Sequence, residues 1–162
     1  MIEKKSFVRH NIFTAKKNII NIALSVIAIG VIAFYSICGG TCSYLKGGIF
    51  GIDLKYAGIL YMIFLIILNI LKRDFFILLS VSIALGIEFY LIGFQISYRT
   101  FCPFCLAFGI IVISQFVINF EWSRKWYMLS CVAIGILFFV FFFKGSVLPT
   151  YDLSNFVFNI AA

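Results

Sequence analysis

Five apolar runs, each close to the length of a bilayer crossing and each closed by charged or polar residues, leave this chain few ways to fold. They fall at residues 18–37, 56–71, 75–96, 103–120 and 127–143. A helix needs roughly 20 apolar residues to cross the hydrocarbon core, and lipid forces every backbone polar group to find its partner within the segment. The runs are therefore read as five helices. Charged residues make up only 12% of the chain, against about 25% in an ordinary soluble domain. The first run continues for a full span without a small-residue cleavage site, so a retained helix is expected rather than a removed signal peptide. The fold class is an all-α membrane protein, a four-helix transmembrane bundle with a fifth transmembrane helix. Its expected divisions are a basic N-terminus at 1–17, a five-helix domain at 18–143 and a short extracytoplasmic tail at 144–162.

The net charge of +7 raises the question of an acidic partner, and the positions of the thirteen basic residues answer it. Lys4, Lys5, Arg9, Lys16 and Lys17 precede helix one, Lys72 and Arg73 follow helix two, and Arg124 and Lys125 follow helix four. These nine share one side. Lys46, Lys55, Arg99 and Lys144 lie on the other. Basic loops stay cytoplasmic, so the N-terminus is expected in the cytoplasm. No basic groove with interleaved aromatics exists, which excludes nucleic acid as a partner. The lipid bilayer is the expected surrounding, and a bacterial inner membrane the expected location.

This orientation puts four of five cysteines together. Cys38 and Cys42 follow helix one, Cys102 and Cys105 open helix four, and only Cys131 lies within a span. The shared side is extracytoplasmic, periplasmic in a bacterium, where disulfides persist. Pro103 suits the first helical position, making Cys102 the N-cap and placing Cys105 one turn in, on the same face. The helix N-terminus favours thiolate. So short a loop gains little from a structural crosslink, which points to redox use. Cys38 and Cys42 flank "GGT", a segment able to bend. Three uses stay open for them: a mobile relay, a disulfide pinning the loop, or half of an all-thiolate zinc site. The oxidising compartment argues against a metal. Haem attachment is excluded because Leu106 rather than His follows Cys105, and the sole histidine, His10, is expected on the other side. Cys131 is read as an inert small apolar residue.

Glu88 is an acid inside helix three, where an unpaired charge costs several kcal/mol. It is the one candidate for a cofactor-binding residue, as a proton donor or a pocket wall. The alternative places it near the interface or pairs it with Gln95. The run "FFVFFF" at 138–143 is read as lipid-facing. A transporter fits poorly, because the spans lack the broken helices and polar groups of a transport path. A non-catalytic membrane scaffold or assembly factor, its cysteines in structural disulfides, is the alternative from a different class.

The stretch "CGGTCSYLKGGIFGIDLKYAGILY" at 38–61 and "YLIGFQISYRTFCPFCLAF" at 90–108 resemble the vitamin K epoxide reductase family, especially its bacterial branch. Two loop cysteines, the run through Gly51, Ile52, Gly58 and Tyr61, and Tyr90-Leu91 ahead of the Cys-Pro-Phe-Cys site carry the resemblance. It implies a four-helix bundle around a quinone pocket, with a fifth helix beside it. It implies a membrane thiol-disulfide oxidoreductase in which Cys105 reduces a quinone of the menaquinone or ubiquinone type and Cys102 receives electrons from the loop. Cys38 and Cys42 would relay them from a thioredoxin-like or DsbA-like periplasmic thiol protein, promoting disulfide formation. Asp53 stands where bacterial members commonly have proline. The chain has no length for the fused thioredoxin-like domain many members carry, so a separate partner is implied.

Overall fold

The computed structural model describes the backbone at residues 2–37, 45–98 and 102–147, and side chains at 16–34, 36–37, 47–98 and 102–145. Five α-helices account for most of it: α1 (Ile2–Ile37), α2 (Leu54–Ile70), α3 (Asp74–Ser97), α4 (Pro103–Asn119) and α5 (Lys125–Phe142). Three of the helices are long and apolar enough to cross a membrane, at Lys16–Phe34, Asp74–Ser97 and Trp122–Phe142; α2 and α4 are shorter apolar helices. The chain is mostly helical with a hydrocarbon-compatible exterior, as the apolar runs predict.

The first helix departs from expectation. It begins at Ile2 instead of near residue 18, so the basic N-terminal segment is helical as well, while the stretch apolar enough to span begins at Lys16. At 1.5 Å per residue the 36-residue helix is roughly 54 Å long, far more than a bilayer core. Lys and Arg are good helix formers, and nothing between Ile2 and the apolar run breaks the helix.

Helices α2 and α3 are joined by a tight reversal. Lys72 takes a left-handed backbone (φ 52°), and Arg73 N–H donates to Leu68 C=O at 3.1 Å. This closes the carbonyl end of α2 in the manner that a left-handed residue after a helix allows. Asp74 then sits in the first turn of α3, where a carboxylate opposes the positive end of the helix.

The helices pack as a ring, α1 against α2, α2 against α3, α3 against α4 and α4 against α1, with α5 outside the ring on α3. Ala28, Met62, Leu65, Ile77, Val81, Ala84 and Val112 fill the centre. α3 and α5 approach closely because both carry glycine at the crossing. A Cβ on Gly86 would strike the Val132 carbonyl, and one on Gly135 the Ile83 carbonyl. Small residues let apolar helices meet where hydrophobicity gives them no reason to. The outer faces stay apolar, with Leu60, Ile110, Val117 and Phe141 all more than three-fifths exposed, as expected of surfaces meeting lipid.

A small antiparallel sheet was not anticipated. It consists of β1 (Leu45–Ile49), β2 (Ile52–Asp53) and β3 (Phe143–Val147) in the order β2-β1-β3. Phe50 and Gly51 form the two-residue hairpin turn, both with positive φ (53° and 82°), the signature of the turn type that matches strand twist. β3 pairs with β1 from Leu45↔Val147 to Ile49↔Phe143. The start of the segment read as a tail is thus a strand. Gly47 and Gly145 face Phe143 closely enough that a Cβ on either would overlap its ring.

The aromatic run also divides. Phe141 is exposed, but Phe139 is buried, edge-on to Tyr90 and stacked on Phe143. Only part of "FFVFFF" faces outward.

Candidate functional site

Between the sheet and the upper half of the ring lies an apolar cavity of about 510 Å³, within the size range of small-molecule sites. Its walls come from α1, α2, α3 and α4, and β1 contributes Gly47 and Ile49 at the mouth. Phe104, Phe108 and Leu91 supply flat and branched apolar surface, while Cys105, Glu88 and Tyr61 are polar groups facing it.

Cys102 is the N-cap of α4 and Pro103 its first residue, as the spacing predicts. The cap is a sulfur: Cys105 N–H donates to Cys102 Sγ at 3.4 Å. The two cysteines are free thiols, and the Cys105 thiol donates to Cys102 Sγ at 2.9 Å. That hydrogen bond, with help from the backbone amides of Cys105 and Phe104, outweighs burial and pulls the Cys102 thiol below its ordinary value. Thiolate character therefore belongs to Cys102, just outside the helix, and the shared proton to Cys105. Cys102 is fully buried and absent from the cavity wall, whereas Cys105 opens into the cavity.

Residues that sequence reasoning passed over hold this arrangement. Gln95, in the last turns of α3, accepts from Cys102 N–H at 3.1 Å through Oε1. It fixes the cap position from the neighbouring helix; a buried amide seven residues ahead of a cysteine was the available signal. Gln95 is therefore not the partner of Glu88, and its Nε2 makes no hydrogen bond among the described residues. Glu88 itself is 4% exposed and faces the cavity. Gly109 makes room for it, since a Cβ there would stand 3.2 Å from Glu88 Oε2. Tyr61 donates to Ser80 C=O at 3.3 Å, which turns its ring along the cavity wall.

Cys131 lies on α5, half-exposed and away from the cavity. Cys38 and Cys42 lie outside the described residues, in the segment between α1 and β1. α1 ends at Ile37 and its Ser36 lines the cavity.

No family model matches this chain, and neither a curated protein nor a solved structure shows a significant match to it.

Proposed function

We propose that this protein is a membrane thiol-disulfide oxidoreductase of the vitamin K epoxide reductase type, passing electrons from a thioredoxin-like partner through two cysteine pairs to a quinone. The observation that carries the reading is the asymmetry of the α4 pair: Cys105 opens into an apolar cavity, while Cys102, hydrogen-bonded to it, stays outside the wall. One sulfur meets a lipid-soluble acceptor and the other meets the next thiol.

In this reading all five helices cross the bilayer. α2 and α4, at 17 residues each, reach the lower limit for a span. The basic residues favour a cytoplasmic N-terminus, and the pairing of β3 with β1 requires the end of α5 and the segment after α1 to share a side. Cys38 and Cys42 then stand on the side of Cys102, extracytoplasmic and periplasmic in a bacterial inner membrane.

The chemistry is serial thiolate exchange. A partner thiolate attacks the Cys38–Cys42 disulfide, and the partner's second thiol resolves the mixed disulfide, leaving an oxidised partner and a reduced loop pair. A loop thiolate then attacks Cys102 of the oxidised α4 pair, and the other loop thiol resolves that bond, which re-forms the loop disulfide and leaves Cys102 and Cys105 reduced. Their two electrons pass to a quinone lodged against Phe104 and Phe108 as the Cys102–Cys105 disulfide forms again. A mostly apolar cavity suits a quinone ring and tail, and the buried Glu88 carboxyl suits a carbonyl oxygen.

Reconstitution tests the reading. Purified protein in liposomes with a reduced periplasmic-type dithiol carrier and a quinone is expected to produce hydroquinone and oxidised carrier in equal amounts. A Cys105→Ala variant that still reduces quinone at the normal rate defeats the assignment.

A further inference from the structure

A quinone becomes a hydroquinone by taking two electrons and two protons. The α4 thiols supply both electrons but are short of protons. Cys105 donates its hydrogen to Cys102 Sγ at 2.9 Å, and Cys102 also receives the Cys105 amide; two donors on one sulfur favour a reacting form of Cys102 thiolate and Cys105 thiol, which carries one proton. Its thiolate end is the N-cap, where unpaired amides stabilise negative charge. The second proton has to come from another group at the cavity.

Among the described residues the wall carries Tyr61, whose hydroxyl donates to Ser80 C=O, the more exposed Lys55 and Asp53, which pair with each other, and Glu88, the buried carboxyl. It sits opposite Gly109, which follows Cys105 by four residues on the same face of α4, roughly 6 Å further along the helix. The missing side chain at Gly109 creates the recess that accepts the carboxyl, with Oε2 3.2 Å from where a Cβ would stand. Glu88 makes no hydrogen bond and no ion pair among the described residues, although it is more than nine-tenths buried and aimed into the cavity. Buried polar side chains are almost always partnered. A buried carboxyl with no partner among the described residues, one helical turn from a reacting sulfur, is placed for a group that arrives with the ligand.

Resting on the function proposed above, we infer that Glu88 is the general acid that delivers the second proton to a quinone oxygen. In this step the Cys102–Cys105 disulfide forms, and the Cys105 S–H and Glu88 O–H bonds break. The quinone takes both electrons and both protons, and Glu88 is left as carboxylate. Charge balances, because the negative charge that began on Cys102 ends on Glu88. Water restores the Glu88 proton when the hydroquinone leaves.

The test uses the full chain in liposomes with dithiothreitol as electron donor and a short-chain naphthoquinone as probe, so that the loop relay is bypassed. Glu88→Gln keeps shape and removes the acidic proton. It is expected to lower kcat by about 10²-fold, with KM for the quinone within threefold, and to leave dithiothreitol reduction of the Cys102–Cys105 disulfide, followed by thiol labelling, unchanged. Glu88→Asp is expected to recover part of the loss. Gly109→Ala, which displaces the carboxyl by a few tenths of an ångström, is expected to lower kcat by a smaller factor. Glu88→Gln turning over within twofold of wild type overturns the acid role, as does a rise in KM with kcat intact, which makes Glu88 a binding group. If wild type fails to reduce the quinone while its cysteine pair still cycles with dithiothreitol, the oxidoreductase reading falls and takes this role with it. An active wild type, an inactive Cys105→Ala and a fully active Glu88→Gln together overturn the acid role alone.

Discussion

At one end of the helix ring, Asn21 and Asn119 exchange a pair of amide hydrogen bonds at 3.2 and 3.1 Å, and Gln115 donates to Ser25 Oγ at 2.9 Å and to the Asn21 carbonyl at 3.3 Å. At the other, Cys105 and Glu88 line an apolar cavity, and the carboxyl makes no hydrogen bond or ion pair among the described residues. Both groups are buried in the same bundle, roughly 15–20 Å apart along α4. The amide donors of the first are consumed in joining α1 to α4, with only acceptor capacity left over at Gln115 Oε1 and Asn18 Oδ1. In an apolar surrounding a network that pairs its donors across helices fixes them, whereas an unpaired group beside a cavity is poised for something that enters. The difference separates stability from chemistry by position.

The sharpest way to break that division is at the cavity. Cys105→Ala is expected to remove quinone reduction by at least about 10³-fold while the thermal transition in detergent stays near that of wild type; activity assays and melting curves on one preparation check both halves. Next comes the α3–α5 crossing. Gly135→Val drives a side chain into the Ile83 carbonyl and is expected to cost about 1–3 kcal/mol, read by unfolding in mixed micelles. At the amide end, Asn119→Leu leaves Asn21 without its side-chain partner and is expected to cost about 1 kcal/mol, with the rate per folded molecule within twofold of wild type. The Asn21→Leu, Asn119→Leu double variant is expected to cost less than the sum of the singles, because no orphaned amide remains. A large catalytic defect in Asn119→Leu would merge the two regions. The smallest effect is expected at Phe141, 77% exposed on α5: Phe141→Ala changes stability by less than about 0.5 kcal/mol in detergent.

Apolar run length made α2 to α5 legible to within about two residues at each end, because lipid leaves a run of that length no alternative to helix. The Pro103 start of α4 and its Cys102 cap were legible for a local reason, the fixed φ and missing N–H of proline. What escaped was of two kinds. The sheet joins residues about a hundred positions apart, and a glycine-rich segment such as "LKGGIFGID" carries no alternation that distinguishes strand from loop. The site's supports, Gln95 and Gly109, act across helices. Their roles depend on which face of α3 meets which face of α4, and uniformly apolar helices conceal that. Glu88 was visible as an anomaly, while its freedom from Gln95 emerged only when Gln95 was found holding Cys102.

The ladder between β1 and β3 has a consequence for biogenesis. Its second half, Phe143–Val147, leaves the ribosome long after Leu45–Ile49, so the roof over the cavity is finished only when α5 has been inserted. A nascent chain arrested before residue 143 would hold both α4 cysteines and the buried acid with β1 still lacking its partner strand, so the cavity mouth is completed only after α5 has been made.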